Sequence, residues 1–189
     1  MPKLPECEFT PSKYDGPSKE EVQKLRSEYL TPALMTYYKD PIMIVDGHMQ
    51  YLFDEKGKRY LDAIAGIVTI SAGHCHPKVM DTVNKQNERL QHTTTIYLHP
   101  NIAKFAEKLT STLPDGLDVV YFTNSGSEAN DLAILMARAY TKNYDVIALR
   151  NAYHGGSQGA MGLTAHSNWK YSVPHGFGVL HSVTPNRYR

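Results

Sequence analysis

Cysteine is scarce in this chain. Two residues of 189, Cys7 and Cys75, cannot build a disulfide framework, and such sparing use points to a reducing compartment. Long apolar runs are missing as well: none approaches the roughly 20 residues that a membrane-spanning helix requires. Charge is not biased to one sign, with 20 basic against 19 acidic residues and a net charge of +1, so nothing favours a nucleic-acid partner. The opening MPKLPECEF has neither the apolar core of a secretory signal nor the Arg- and Ser-rich pattern of a transit peptide. What is present is 41% hydrophobic and 21% charged residues, the balance of a globular protein. The length suits one ordinary domain or part of a larger one.

Along the chain the patterning changes twice. Residues 1 to about 40 are punctuated by Pro2, Pro5, Pro11, Pro17 and Pro32. Within them SKEEVQKLRSEYL predicts a helix, with Ser18 as cap, Glu21 at capping-box spacing, and Val22, Leu25 and Tyr29 on one face. IMIVDGHMQYLFDEKGKRYLD predicts a β-meander with strands Ile42–Val45, Met49–Phe53 and Arg59–Leu61, turning at Asp46-Gly47 and at Glu55-Lys56-Gly57. A glycine-broken loop, AGIVTISAGHCHPKV, leads into two helical patterns that open on Pro77 and Pro100. From Leu117 the order becomes strand, helix, strand: Val119–Phe122, about Ser127 to Tyr140, and Val146–Leu149. That is the composition of a right-handed β-α-β crossover.

Asn124-Ser125-Gly126-Ser127 falls where the first of those strands ends and the helix begins. Open α/β sheets bind ligands at such edges. The first amides of a helix lack intrahelical acceptors and sit at the positive end of its dipole, so an anion such as phosphate is the natural guest. Gly126 lets the backbone approach closely, and Ser127 offers both an N–H and a hydroxyl. The same residues also read as a capped helix without a ligand, because Ser125 and Glu128 have capping-box spacing. The second strand opens into LRNAYHGGSQGAMGLT on the same sheet edge. There Tyr153 could lie flat on a planar ring with Gly155 and Gly156 leaving room beside it; the bland alternative is a packed tyrosine and a glycine turn.

Taken together, YLFDEKGKRYLD, AGIVTISAGHCHPKV, VVYFTNSGSEANDLAILMARAY and NAYHGGSQGAMGLT resemble, in order, the N-terminal part of a class III aminotransferase, a fold type I pyridoxal-phosphate enzyme. The resemblance runs from about Tyr29 onward. It implies an α/β fold: an arm and small-domain segment over residues 1–62, then the beginning of the mostly parallel-sheet cofactor domain over residues 63–189. It implies pyridoxal 5′-phosphate as cofactor, its phosphate on Gly126 and Ser127, its ring against Tyr153, and His154 beside it. Tyr37 falls where relatives line the substrate pocket, and Ile67 falls on the pocket wall. Gly156 stands where some relatives carry a guanidinium clamp. The implied reaction moves an amino group from a small amino acid, alanine by expectation, to a 2-oxo acid, glyoxylate by expectation. A homodimer or higher homo-oligomer and a mitochondrial address are implied in the same way.

The resemblance also implies two groups that the chain does not show before it stops at HSVTPNRYR: the lysine that bonds the cofactor, and the carboxylate that faces the pyridine nitrogen. Lys142 and Lys170 are outside the family's lysine context. The expectation is therefore an N-terminal fragment, inactive alone, with catalytic residues beyond it. Its rival is a noncatalytic product retaining only a dimer-interaction surface. His74-Cys75-His76 suggests a metal only weakly, since neighbours in an extended chain point opposite ways; the expectation is no metal.

Overall fold

The computed structural model describes residues 4–172, 174 and 178–188 as two compact units, Met1–Tyr97 and Leu98–Arg189. In the first, α1 (Lys19–Tyr29) begins as its sequence predicts: the Ser18 hydroxyl accepts from the Glu21 N–H at 3.2 Å. A three-stranded antiparallel meander follows, β1 (Ile44–His48), β2 (Tyr51–Asp54) and β3 (Arg59–Leu61), in the order β1-β2-β3. Tyr51 and Phe53 point to one face and are 1% and 2% exposed. The N-terminal arm lies along this sheet. Phe9 stacks on His48 at 4.4 Å, and the Tyr51 hydroxyl donates to the Pro5 carbonyl at 3.3 Å.

The first hairpin turns elsewhere than the sequence predicts. Asp46-Gly47 lies inside β1, at a register shift after Ile44, and the turn is made by Met49 and Gln50 between His48 and Tyr51. Two contacts account for the difference. The Asp46 carboxylate is already engaged by the Gly47 N–H (2.8 Å) and the Ser12 N–H (3.2 Å). Met49, at φ 50°, exchanges backbone hydrogen bonds with His74 at 2.7 and 2.8 Å, which fixes the bend three residues later. The second turn is where the sequence places it: the Asp54 carboxylate accepts from the Lys56 and Lys58 N–H groups and from the Tyr60 hydroxyl. Burial pushes its pKa up, but those three donors together hold it below the usual aspartate value.

Between the meander and α3 (Pro77–Arg89) the glycine-broken loop contains α2 (Ala65–Val68), a single turn of the wrong hand. All four of its residues have φ between 52° and 61°. For β-branched Ile67 and Val68 this conformation is strained, because Cβ crowds the following carbonyl. Asp62 braces it. Its side chain, 5% exposed, accepts from the Ala65 N–H (2.9 Å) and the Ile64 N–H (3.2 Å), and its other oxygen meets His74 Nε2 at 2.7 Å. The His74 contact holds the Asp62 carboxyl below its ordinary pKa.

The second unit contains α4 (Pro100–Thr110), α5 (Gly126–Thr141), β4 (Val146–Leu149), α6 (Gln158–Leu163) and β5 (Val179–Ser182). Strands β4 and β5 run parallel in register Val146↔Val179 to Leu149↔Ser182. The core is small and centres on α6, where Ala160, Met161, Leu163 and the following Thr164 are buried, together with Ala148 of β4. Val119–Phe122 differs from its predicted state. It pairs with no strand among the described residues, and Val119 is 93% exposed. The reason is physical: a strand exists through hydrogen bonds to neighbours, and among the described residues β4 and β5 pair only with each other, so no strand lies alongside this segment. The apolar face expected on α5 is likewise uncovered, for that helix has no buried residue.

Candidate cofactor site

The helix α5 starts with an N-terminus built from two interlocked contacts. Ser125 is extended (φ −158°, ψ 162°), and its hydroxyl accepts from the Glu128 N–H at 3.2 Å. The Glu128 carboxylate reaches back past Ser125 to Asn124, accepting from its N–H (2.8 Å) and its Nδ2 (3.0 Å). The capping box foreseen from the spacing is thus realised one residue wider than the usual form. Neither the Gly126 nor the Ser127 amide meets an acceptor among the described residues, and both lie in the first turn of a 16-residue helix.

The loop after β4 closes against this helix end. The Gly156 N–H donates to Ser127 Oγ at 3.1 Å, across 29 residues of sequence. Because that bond occupies a lone pair, the Ser127 hydroxyl proton remains to be donated elsewhere. Gly155, buried and at φ 124°, is pressed so tightly on Ser127 that a Cβ added there would lie 2.9 Å from Ser127 Cβ and 3.0 Å from its Cα. By contrast, a Cβ at Gly126 or Gly156 would meet nothing within 4 Å. The two glycines therefore open onto free space, whereas the one between the elements seals them together.

The remaining bonds fix the loop from behind. Asn130 Nδ2, one turn into α5, donates to the His154 carbonyl at 2.7 Å. The Thr164 hydroxyl accepts from the His154 N–H at 3.0 Å and donates to the Gly155 carbonyl at 3.1 Å. Lys170 Nζ donates to the Thr164 carbonyl at 2.6 Å. Tyr153 is exposed, with Trp169 edge-on to its ring at 6.2 Å. His154 Nε2 is buried and has no hydrogen-bond partner.

Four of the residues singled out in the sequence, Gly126, Ser127, Tyr153 and His154, are thus brought to one place. Their chemistry fits a phosphorylated planar heterocycle: free amides and a hydroxyl at a helix N-terminus for the dianion, an accessible ring for the plane, and an orphaned imidazole nitrogen for a polar atom nearby. Tyr37 and Ile67 belong to the other unit, both exposed, with Ile67 on the left-handed turn. Sequence reasoning passed over Asn130 and Thr164. Asn130 sits one turn from Ser127 on the motif helix and was within reach of a helix-face argument; Thr164 gave no local signal. Among the described residues no group of three His, Cys, Asp or Glu side chains is placed to hold a metal, and His74 turns to Asp62.

Comparison with known proteins matches the chain to one family. A family model described as aminotransferase class-III covers residues 35–187. The chain is 50% identical over 187 residues to alanine–glyoxylate aminotransferase 2 homolog 2, mitochondrial, of Arabidopsis thaliana, covering 99% of this chain and 39% of that protein. The fold is similar to an (S)-enantioselective omega-transaminase from Thermomicrobium roseum, with a TM-score of 0.80 and 30% identity over 93% of this chain and 42% of the other. It is also similar to taurine:2-oxoglutarate aminotransferase from Bifidobacterium kashiwanohense, solved with pyridoxal phosphate and glutamate, with a TM-score of 0.78 and 26% identity over 93% of this chain and 40% of that one. The chain spans about two fifths of the length of these relatives.

Proposed function

The chain belongs to the class III aminotransferases, whose cofactor is pyridoxal phosphate, and from that premise we propose that it is the N-terminal portion of an enzyme moving an amino group from alanine to glyoxylate. The observation that carries this reading is the junction of the α5 N-terminus with the β4–α6 loop through the Ser127–Gly156 hydrogen bond. Bound there, the cofactor supplies an electron sink for breaking a bond at the amino carbon. The chain's own residues hold and orient it. The Gly126 and Ser127 amides and the Ser127 hydroxyl would receive the phosphate, Tyr153 would offer its ring to the heterocycle, and His154 would stand beside it. Tyr37 and Ile67 are the substrate-facing residues, Ile67 as an aliphatic wall suited to a small donor. In the complete protein, residues 1–62 serve as arm and small domain and residues 63–189 begin the cofactor domain. The same kinship supports a homodimer or higher homo-oligomer and a mitochondrial location, the Arabidopsis relative being named mitochondrial.

Ser127→Asp in the full-length protein tests the site. A carboxylate would then face the phosphate at the end of a helix whose dipole is arranged for an anion, and bound pyridoxal phosphate should be lost on gel filtration. Retention equal to the parent would remove the junction from the cofactor site.

A second reading, a noncatalytic product acting through an interaction surface, has one observation in its favour. The chain leaves 16166 Å² accessible, whereas two compact globules sharing its 21.3 kDa would leave about 11,000 Å². Large apolar side chains are among those left exposed, including Val119, Tyr121 and Tyr140. The 189-residue chain, saturated with pyridoxal phosphate and given alanine and glyoxylate, should form no pyruvate above free cofactor. Turnover that survives gel filtration and is lost on borohydride reduction would place a working lysine within it.

A further inference from the structure

Thr164 is not among the residues that meet a ligand in the proposed site, yet both hydrogen bonds of its hydroxyl go to the loop that does. Its side chain is 0% exposed. The hydroxyl accepts from the His154 N–H and donates to the Gly155 carbonyl, so it ties together the two peptide units that flank the His154–Gly155 peptide. Those are the units at which the chain bends, Gly155 having φ 124°. Its own backbone is held from both sides: Thr164 N–H closes the last turn of α6 on the Ala160 carbonyl at 3.0 Å, and Lys170 Nζ occupies the Thr164 carbonyl. The next residue repeats the pattern, the Ala165 N–H meeting the Ala152 carbonyl at 2.9 Å.

Resting on the cofactor site proposed above, we infer that Thr164 is a positioning residue: it bends the Tyr153–Gly156 loop into the shape that seats Gly155 on Ser127 before any cofactor arrives. The route is short. Thr164 fixes the His154 and Gly155 peptides; Gly155 has no lateral freedom against Ser127; the Gly156 N–H then orients the Ser127 hydroxyl so that its proton faces outward. Without the hydroxyl, a half-buried donor and a buried acceptor lose their partners together, and the loop regains them only by opening to water. Opening would carry the Tyr153 platform and the Ser127 donor out of register. The effect therefore reaches the ligand through two peptides, without Thr164 touching it.

The chain carries its own reporter, because Trp169 is its only tryptophan and stands against Tyr153. Pyridoxine 5′-phosphate keeps the ring and the phosphate but has no aldehyde, so it cannot react with lysines, and it absorbs within the indole emission band. Titrated into the full-length protein freed of its cofactor, it should quench that emission saturably. Thr164→Val, equal in shape and lacking the hydroxyl, should weaken that binding by about tenfold or more when measured well below its melting temperature, and Thr164→Ser should restore it to within about threefold of the parent. A Thr164→Val variant with the parent's affinity overturns the inference and leaves the site standing. Absence of saturable quenching in the parent instead overturns the site. Should Thr164→Val fail to fold, exchange of the His154 and Gly156 amides in the parent decides the matter. Protection already present without ligand is the expected result, and free exchange until ligand binds shows that the ligand, not Thr164, shapes the loop.

Discussion

The two sheets of this chain are built from similar residues and finish differently. The meander β1–β3 is antiparallel, its turns are short, and within some 20 residues it buries Tyr51 and Phe53 almost completely. The parallel pair β4–β5 joins strands 29 residues apart, and the apolar segment Val119–Phe122 beside it in sequence pairs with nothing described. An antiparallel hairpin obtains its partners from its own turn. A parallel strand obtains them only through crossovers, and both its faces need covering. Local pairing is thus self-sufficient here, and nonlocal pairing is not.

The strongest way to break this contrast is truncation of one apolar side chain in each region. Phe53→Ala should cost about 3–5 kcal/mol, as for a buried phenylalanine, and abolish the cooperative urea transition of the first unit. Val119→Ala, on an exposed segment, should change stability by no more than about 0.5 kcal/mol. Equal losses would mean that Val119 is covered in solution. Next come the helix caps, which ought to ignore the contrast because they are local in both units. Ser18→Ala and Ser125→Ala should each cost about 1 kcal/mol. A much larger loss for Ser125 would show that its helix end does more than begin a helix.

A smaller effect of opposite sign sharpens the picture of the first unit. Ile67, 80% exposed and at φ 60°, ψ 54°, occupies a conformation that costs a β-branched residue about 1–2 kcal/mol and glycine almost nothing. After the entropy lost by glycine, Ile67→Gly should stabilise the chain by about 0.5–1 kcal/mol, read as a rise in melting temperature. Destabilisation would mean that the Ile67 side chain is packed in solution. The smallest effect is the response to acid. His74 keeps the Asp62 carboxyl below its ordinary pKa, so its contribution is complete above the unfolded value of about 4 and is lost as pH falls through the lower folded value. Asp62→Asn should flatten the stability profile in that window; an unchanged acid limb would exclude Asp62 as its source.

What the sequence made legible was whatever depends on neighbours in sequence. Pro77 and Pro100 open helices where they stand, Ser18 and Ser125 cap theirs, and β3 and β4 have the predicted limits. The family, its α/β fold and its cofactor were also legible, because several motifs occur in one order. The misplaced hairpin had a distant cause, since Asp46-Gly47 has the composition of a turn but Met49 is held by His74. The left-handed turn at Ala65–Val68 had no signature, for valine and isoleucine argue against that conformation and only Asp62 and His74, far apart in sequence, make it tenable. The short helix α6 was concealed by Gly159 and Gly162, poor helix formers that burial overrides. The assembly of Ser127 with Gly156 follows from topology, and no spacing along the chain announces it.

The seal between Gly155 and Ser127 bears on how this protein can change over generations. Position 155 is closed to other amino acids twice over, by a backbone angle that L side chains avoid and by Ser127 atoms where a side chain would start. Shrinking Ser127 would relieve the second obstacle only in part, since its Cα stays 3.0 Å away, and would leave the first, so no single compensating replacement opens the position. A mutational scan would therefore find Gly155 intolerant even in selections that never require a ligand, whereas Gly126 and Gly156, which face open space, should become intolerant only when a ligand is demanded.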